Sequence, residues 1–239
     1  MSPLWDIPGM SLDRIKVDWL HCADLGVAPE FEGNLLWHLV SKKKVPGRIQ
    51  DDRISFLLKH MQSYYQENSV ENQLPTLTKE MIWKSKGSGP KLRSKAAEAR
   101  YLIPWCKKAC DEFLVGADSV DVAVKAACEH LHECYSCLGG DRFEQPRMAD
   151  ACRKFSLQML SLNEATADGL WNWKPKHHMF QELAEYANAC PTLTWTYRDE
   201  DFGGSLAALA RSAGGSNSPL GVSSRVLGHF MARHCVPCF

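Results

Sequence analysis

Three carboxylates stand side by side in WTYRDEDFGG, at Asp199, Glu200 and Asp201, with Arg198 the only base beside them. Hard divalent ions such as Mg2+ or Mn2+ take carboxylate oxygens, so one acid of the three suits a metal ligand. The same acids would equally complement the dipole at the start of a helix through FGGSLAALARS. A second pair, Asp18-x-x-His21, suits a carboxylate that orients an imidazole, and Cys22 beside it adds a zinc option. His177 and His178 follow WKPK at the start of a helical pattern. Adjacent helix positions point about 100° apart, so the two do not readily share one metal.

CEHLHECYSC places His130, Cys134 and Cys137 at i, i+4 and i, i+3 spacing, with His132 between, on a face that could hold zinc. Near the end, Cys235-x-x-Cys238 in HCVPCF is half of a zinc motif. Most of the ten cysteines read as small hydrophobes in helices, Cys106, Cys110, Cys128, Cys152 and Cys190 among them. The loop KSKGSGPKLRSK carries Lys84, Lys86, Lys91, Arg93 and Lys95 with no acid, and Lys42–Lys44 form a second basic run. Such clusters neutralise phosphates, although solvated loops also carry them. Neither a G-x-S-x-G nucleophile turn nor a glycine-rich phosphate loop is present in the sequence.

Helical periodicity must position these groups. Apolar spacing predicts helices over 29–43, 48–66, 91–115, 119–138, 146–162 and 177–189, a short one from Thr78, and others over 205–212 and 218–234. Pro46 and Gly47 close the first, and Ser218 with Pro219 opens the last. RIKVDWL and TLTWTY read as two short strands. The expected core comprises Trp37, Phe56, Leu57, Tyr101, Ile103, Trp105, Leu131, Phe155, Leu160 and Phe180. The fold class is mostly α: a multi-helix domain with at most two short strands.

Twenty-eight basic residues balance 28 acidic ones, so any pull toward nucleic acid must come from local patches. The sequence contains no apolar run near the roughly 20 residues that span a bilayer, and MSPLWDIPGMSLDRIK lacks a signal-peptide core. Reduced thiols, no membrane partner and an intracellular location are expected, with the nucleus open as its compartment.

Three segments together resemble the C-terminal part of a CACTA (En/Spm)-type DNA transposase. PLWDIPGMSLDRIKVDWLHCADLGV is similar to that family's D-x-x-H segment, with Asp18 and His21 as the pair. KLRSKAAEARYLIPW is similar to a basic helix start in its inserted helical region. KPKHHMFQELAEYA followed by WTYRDEDFGGSL is similar to its His-rich helix and its W-x-Y-x-x-E-x-F-x-G element, on Trp195, Tyr197, Glu200, Phe202 and Gly204.

The resemblance implies an RNase H-like relative in which two Asp and one Glu hold two Mg2+ or Mn2+ ions for DNA cleavage and joining. It makes Glu200 the third carboxylate. Both aspartates lie upstream of the D-x-x-H segment in the family, and Asp6 and Asp13 are too close to that segment to replace them. The expectation is therefore a catalytically incomplete, DNA-interacting relative whose other partner is a full-length transposase. A helical protein-interaction module with an incidental Cys/His zinc site is the competing reading. The expected divisions are 1–28 (strand/turn segment with D-x-x-H), 29–190 (helical insertion-like domain) and 191–239 (acidic turn, Glu-bearing helix, C-terminal helix).

Overall fold

The computed structural model describes residues 6–11, 15–83, 89–116, 118–139, 142–166, 169–212 and 219–233. Asp13, Lys84, Lys86, Cys235 and Cys238 lie outside the described residues. The chain divides into two compact units, Met1–Thr194 and Trp195–Phe239.

The first unit is built around one helix. A π-helical stretch, Leu20–Val27, runs directly into α1, Ala28–Ser41. Twelve residues of α1 are buried, including Phe31, Leu35, Leu36 and Leu39, and a helix buried on every side sits in the middle of a core. Around it come α2 (Gln50–Glu67), α3 (Lys79–Ile82), α4 (Ala96–Phe113), α5 (Ser119–Ser136), α6 (Gln145–Ala165) and α7 (Pro175–Glu185). Helices α4 to α7 pack on one another in chain order, while α7, α1 and α4 all meet the π-helical stretch.

Each long helix presents one stripe inward. On α4 it is Ala99, Leu102, Ile103, Cys106, Ala109 and Cys110; on α5 it is Val124, Ala127, Cys128, Leu131 and Cys134. Local signals set the starts: the Thr78 hydroxyl accepts from Met81 N, and the Asp118 carboxylate from Val120 N.

Of the expected core, Leu57, Ile103, Trp105, Leu131, Phe155 and Phe180 are buried, and Trp37, Phe56 and Tyr101 are half-buried. Leu160 is exposed, because the inward stripe of α6 runs through Met159 and Leu162, and its neighbour points about 100° away. Trp19 and Trp171 are large buried side chains that periodicity missed, and Phe31 is a further buried ring outside the expected core.

The two expected strands are corrected. Among the described residues there is no strand. In RIKVDWL the Asp18 carboxylate accepts from His21 N at 2.9 Å, which starts a helix where a strand was expected. TLTWTY is a 3-10 turn, Pro191–Leu193, followed by the start of α8.

The second unit contains α8 (Tyr197–Ser212) and α9 (Pro219–Arg233), which pack together with Phe202 against Phe230 at 5.3 Å. Asp199 and Glu200 lie in the first turn of α8, not in a turn ahead of it. Carboxylates at that end complement the helix dipole, so α8 begins eight residues earlier than its apolar pattern suggests.

Gly33 makes one close approach possible. A Cβ there would sit 2.6 Å from the Lys91 and Leu92 backbone. Gly33→Ala should therefore push the 89–95 segment off α1 and cost about 1–3 kcal/mol, read as a lower urea midpoint. An unchanged midpoint would mean that this segment is not pressed against α1.

Candidate nucleic-acid interface

The D-x-x-H pair forms as its spacing suggests. His21 Nδ1 lies 2.6 Å from Asp18 Oδ2, while the same oxygen accepts the His21 backbone N–H. The partner that arrives from α7 is neither His177 nor His178 but Lys176. Its Nζ donates to His21 O at 2.7 Å, and its carbonyl accepts from Cys22 Sγ at 3.4 Å. Gly26 leaves room for it, since a Cβ would lie 2.6 Å from Lys176 Cδ.

The C-terminal end of the π-helical stretch is held by the basic segment. Lys91 Nζ donates to Leu25 O at 3.0 Å, and Leu92 N donates to Pro29 O at 2.8 Å. Glu30, largely buried, pairs with Lys174 at 3.2 Å and more distantly with Lys91 at 3.9 Å. Burial lowers the Lys91 ammonium from its ordinary value, and Glu30 opposes that shift. Asn34 ties the third segment in: its amide donates to Glu30 O at 2.7 Å, and its Oδ1 accepts from Trp171 N at 3.1 Å. That bond holds Trp171 at φ +59°, a conformation uncommon outside glycine.

These contacts leave an open cavity of about 660 Å³ with Lys91, Arg93, Lys95 and Lys174 around it, and Leu25 and Pro29 among its apolar lining. Glu98, the acid that also lines it, accepts the Lys95 backbone N–H at the start of α4.

His177 is a core residue. It is 1% exposed and stacks on Trp173 at 4.8 Å. Its Nδ1 lies 3.2 Å from both the backbone N and the backbone O of Lys174, while Nε2 has no hydrogen-bond partner. Burial lowers its pKa from the ordinary 6.5, and the Glu30 carboxylate opposes the shift. His178 turns elsewhere and accepts from Trp173 Nε1 at 3.1 Å.

Among the described residues the proposed zinc and divalent ligands are not brought together. Cys134 is fully buried, and burial pushes its thiol well above the ordinary 9.0, with Cys152 next in effect. Zinc requires the thiolate, which this apolar seam disfavours. Burial also lowers His130 and His132. Among the described residues no three His, Cys, Asp or Glu side chains are grouped to hold a metal. Glu200, with Asp199 and Asp201, is exposed on α8, so the carboxylates of the described residues do not fit a two-ion centre.

Two buried polar features carried no readable signal. Asp121, 1% exposed, bonds His38 Nε2 at 2.7 Å and pairs with Lys44 at 2.5 Å, so one cation of the Lys42–Lys44 run faces inward. Burial raises the Asp121 carboxyl, but the bonds from Lys44 and His38 outweigh it and leave the net value below the ordinary 3.8. Glu32 is 0% exposed, with both carboxyl oxygens unpartnered. In the sequence it stands two positions after Glu30 and two before Asn34, as a polar residue in a mixed stretch would.

No helix among the described residues is long and apolar enough to cross a membrane. Comparison of the chain with protein-family models, with curated proteins and with solved structures gives no match.

Proposed function

We propose that the chain is a transposase-derived, DNA-interacting protein that does not cut DNA by itself. One observation carries the reading. The D-x-x-H segment, the basic helix start and the His-rich helix, singled out for their likeness to one family, lie far apart in sequence yet meet within the first unit: Lys176 bonds His21 O, and Lys91 bonds Leu25 O. Separate motifs of a shared ancestor would be retained together if they built one surface. That surface is cationic and concave, which suits phosphodiesters. The RNase H-like ancestry, the Mg2+ or Mn2+ of its chemistry, a full-length transposase as partner and a nuclear location belong to the same proposal. No cleavage step is assigned, because the carboxylates of the described residues do not converge.

The experiment is DNA binding and nicking by the 239-residue chain. Binding should be weak, sequence-independent and steeply salt-dependent. Incubation of supercoiled DNA with Mg2+ or Mn2+ should give neither nicking nor strand transfer. Glu200→Gln should leave stability within about 0.5 kcal/mol, as expected for an exposed side chain. Salt-independent binding, or metal-dependent cleavage lost in Glu200→Gln, would overturn the proposal.

A protein-interaction module is the second reading. It is favoured by a groove of about 240 Å³ between Ile15–Val17 and the end of α7, where Ile15 and Tyr186 are exposed. Retention of a protein partner by a chain that binds no DNA would favour it.

A further inference from the structure

The segment from Lys91 to Lys95 is extended and held from both sides. Lys91 N donates to Ile82 O at 2.9 Å and Arg93 N to Met81 O at 2.8 Å, while between them Leu92 N turns the opposite way to Pro29 O. Side chains along an extended chain alternate in direction. Leu92 is accordingly 2% exposed, and the Ser94 hydroxyl is buried, whereas Arg93 and Lys95 are exposed and Lys91 is partly so. Three cations therefore repeat along one face, at roughly 6.6 Å for each pair of residues.

We infer that this segment is a ladder for successive phosphates of a single nucleic-acid strand, with Lys91, Arg93 and Lys95 as its rungs. The inference rests on the DNA reading above and deepens it. A repeat of this length matches neighbouring phosphates along a strand, and the shape of the site selects the strand's form. The cations line a cavity of about 660 Å³ in which Lys174 also takes part. That volume lies in the range of pockets for small molecules, too small to admit a duplex. Leu25 and Pro29 supply an apolar lining for unstacked bases.

The ladder is also fixed before any ligand arrives. Lys91 is anchored on Leu25 O, the strap lies against Gly33, and Lys95 leads directly into α4. Among the described residues no carboxylate forms an ion pair with Arg93 or Lys95, so neither must give up an acidic partner to bind phosphate. Lys91 is partly structural, which makes Arg93 and Lys95 the residues to change.

Fluorescence anisotropy against salt should be measured with a thymidine oligomer and with a duplex of equal length. The proteins are the wild type, Arg93→Gln/Lys95→Gln, and Lys42→Gln/Lys43→Gln as the control. The single strand should bind more tightly than the duplex. The strap variant should flatten the log–log salt slope for the single strand by about 1.4, from two contacts at ~0.7 each, or roughly 25-fold in affinity at 0.1 M salt. The control should change the single-strand slope less than the strap variant does.

Equal losses on single strand and duplex would overturn the ladder in favour of a general basic patch. Displacement of the oligomer by inorganic phosphate at matched phosphate concentration would overturn it in favour of a single-anion pocket. Binding insensitive to the strap variant would overturn it and leave the DNA reading standing. Absence of binding to either nucleic acid would remove both.

Discussion

Asp121→Ala should lower the stability of the chain by about 3–5 kcal/mol, the usual cost of removing one partner from a buried ion pair. The carboxylate is 1% exposed and sits between His38 of α1 and Lys44 beyond it, so it fastens α5 to the central helix. Its loss would leave the 3%-exposed His38 ring without its acceptor and deprive the Lys44 ammonium of its counter-charge. Urea unfolding at pH 7 reads the effect, and a midpoint within error of wild type would show that α1 and α5 do not depend on this pair. The pH dependence has a definite sign. The folded carboxyl lies below its ordinary 3.8, so its contribution is fully present above that value and is lost as the pH falls through the folded one.

Glu32→Leu should have the opposite effect. Burial holds the Glu32 carboxyl well above its ordinary 4.5, with Asp24 next in effect, and neither oxygen has a partner. A raised folded value favours the protonated native form. Stability from this group is present below about pH 4.5 and falls as the pH rises toward the folded value, by about 1.4 kcal/mol per unit. The leucine variant removes both the unpartnered oxygens and the titration, so it should unfold at higher urea than wild type at pH 8. The advantage should narrow toward pH 5. Glu32→Gln separates the causes: it removes the titration but keeps a polar group in the same place. A wild-type midpoint that does not fall between pH 5 and pH 8 would show that Glu32 finds a partner or reaches solvent.

The sequence revealed most where a local rule acts alone. The Thr78 cap and the apolar stripes of α4, α5 and α6 appear near their expected positions because each depends on residues within a few turns. Ile15, Val17 and Trp19 alternate as a strand would, but a strand needs a partner, and Asp18 caps a helix start instead. The π-helical stretch was not legible, since α7, α1 and α4 surround it and Gly26 admits Lys176. In the candidate site, the basic segment was found from its run of cations and from its likeness to a basic helix start. Lys174 and Lys176 were passed over in favour of the neighbouring histidines, because histidine is the commoner ligand in a motif. What Lys176 meets lies 155 positions away, and no spacing rule reaches that far. His38 and Asp121, 83 positions apart, were hidden for the same reason.

The bond from Lys176 to His21 also sets an order in time. At ordinary translation speeds of 5–20 residues per second, the 155 positions between its ends take roughly 8–30 s to synthesise. Throughout that interval Trp19 lacks Phe180, the ring it meets edge-on at 5.5 Å. Loop closure over such a separation is entropically costly and slow, so the cleft is among the last parts of the molecule to form. A nascent chain halted before Trp171 would carry the strap cations but not the wall that encloses them. Nucleic-acid recognition by the cleft therefore belongs to the finished first unit, and grafting KLRSK onto another protein would transfer the charge without the pocket.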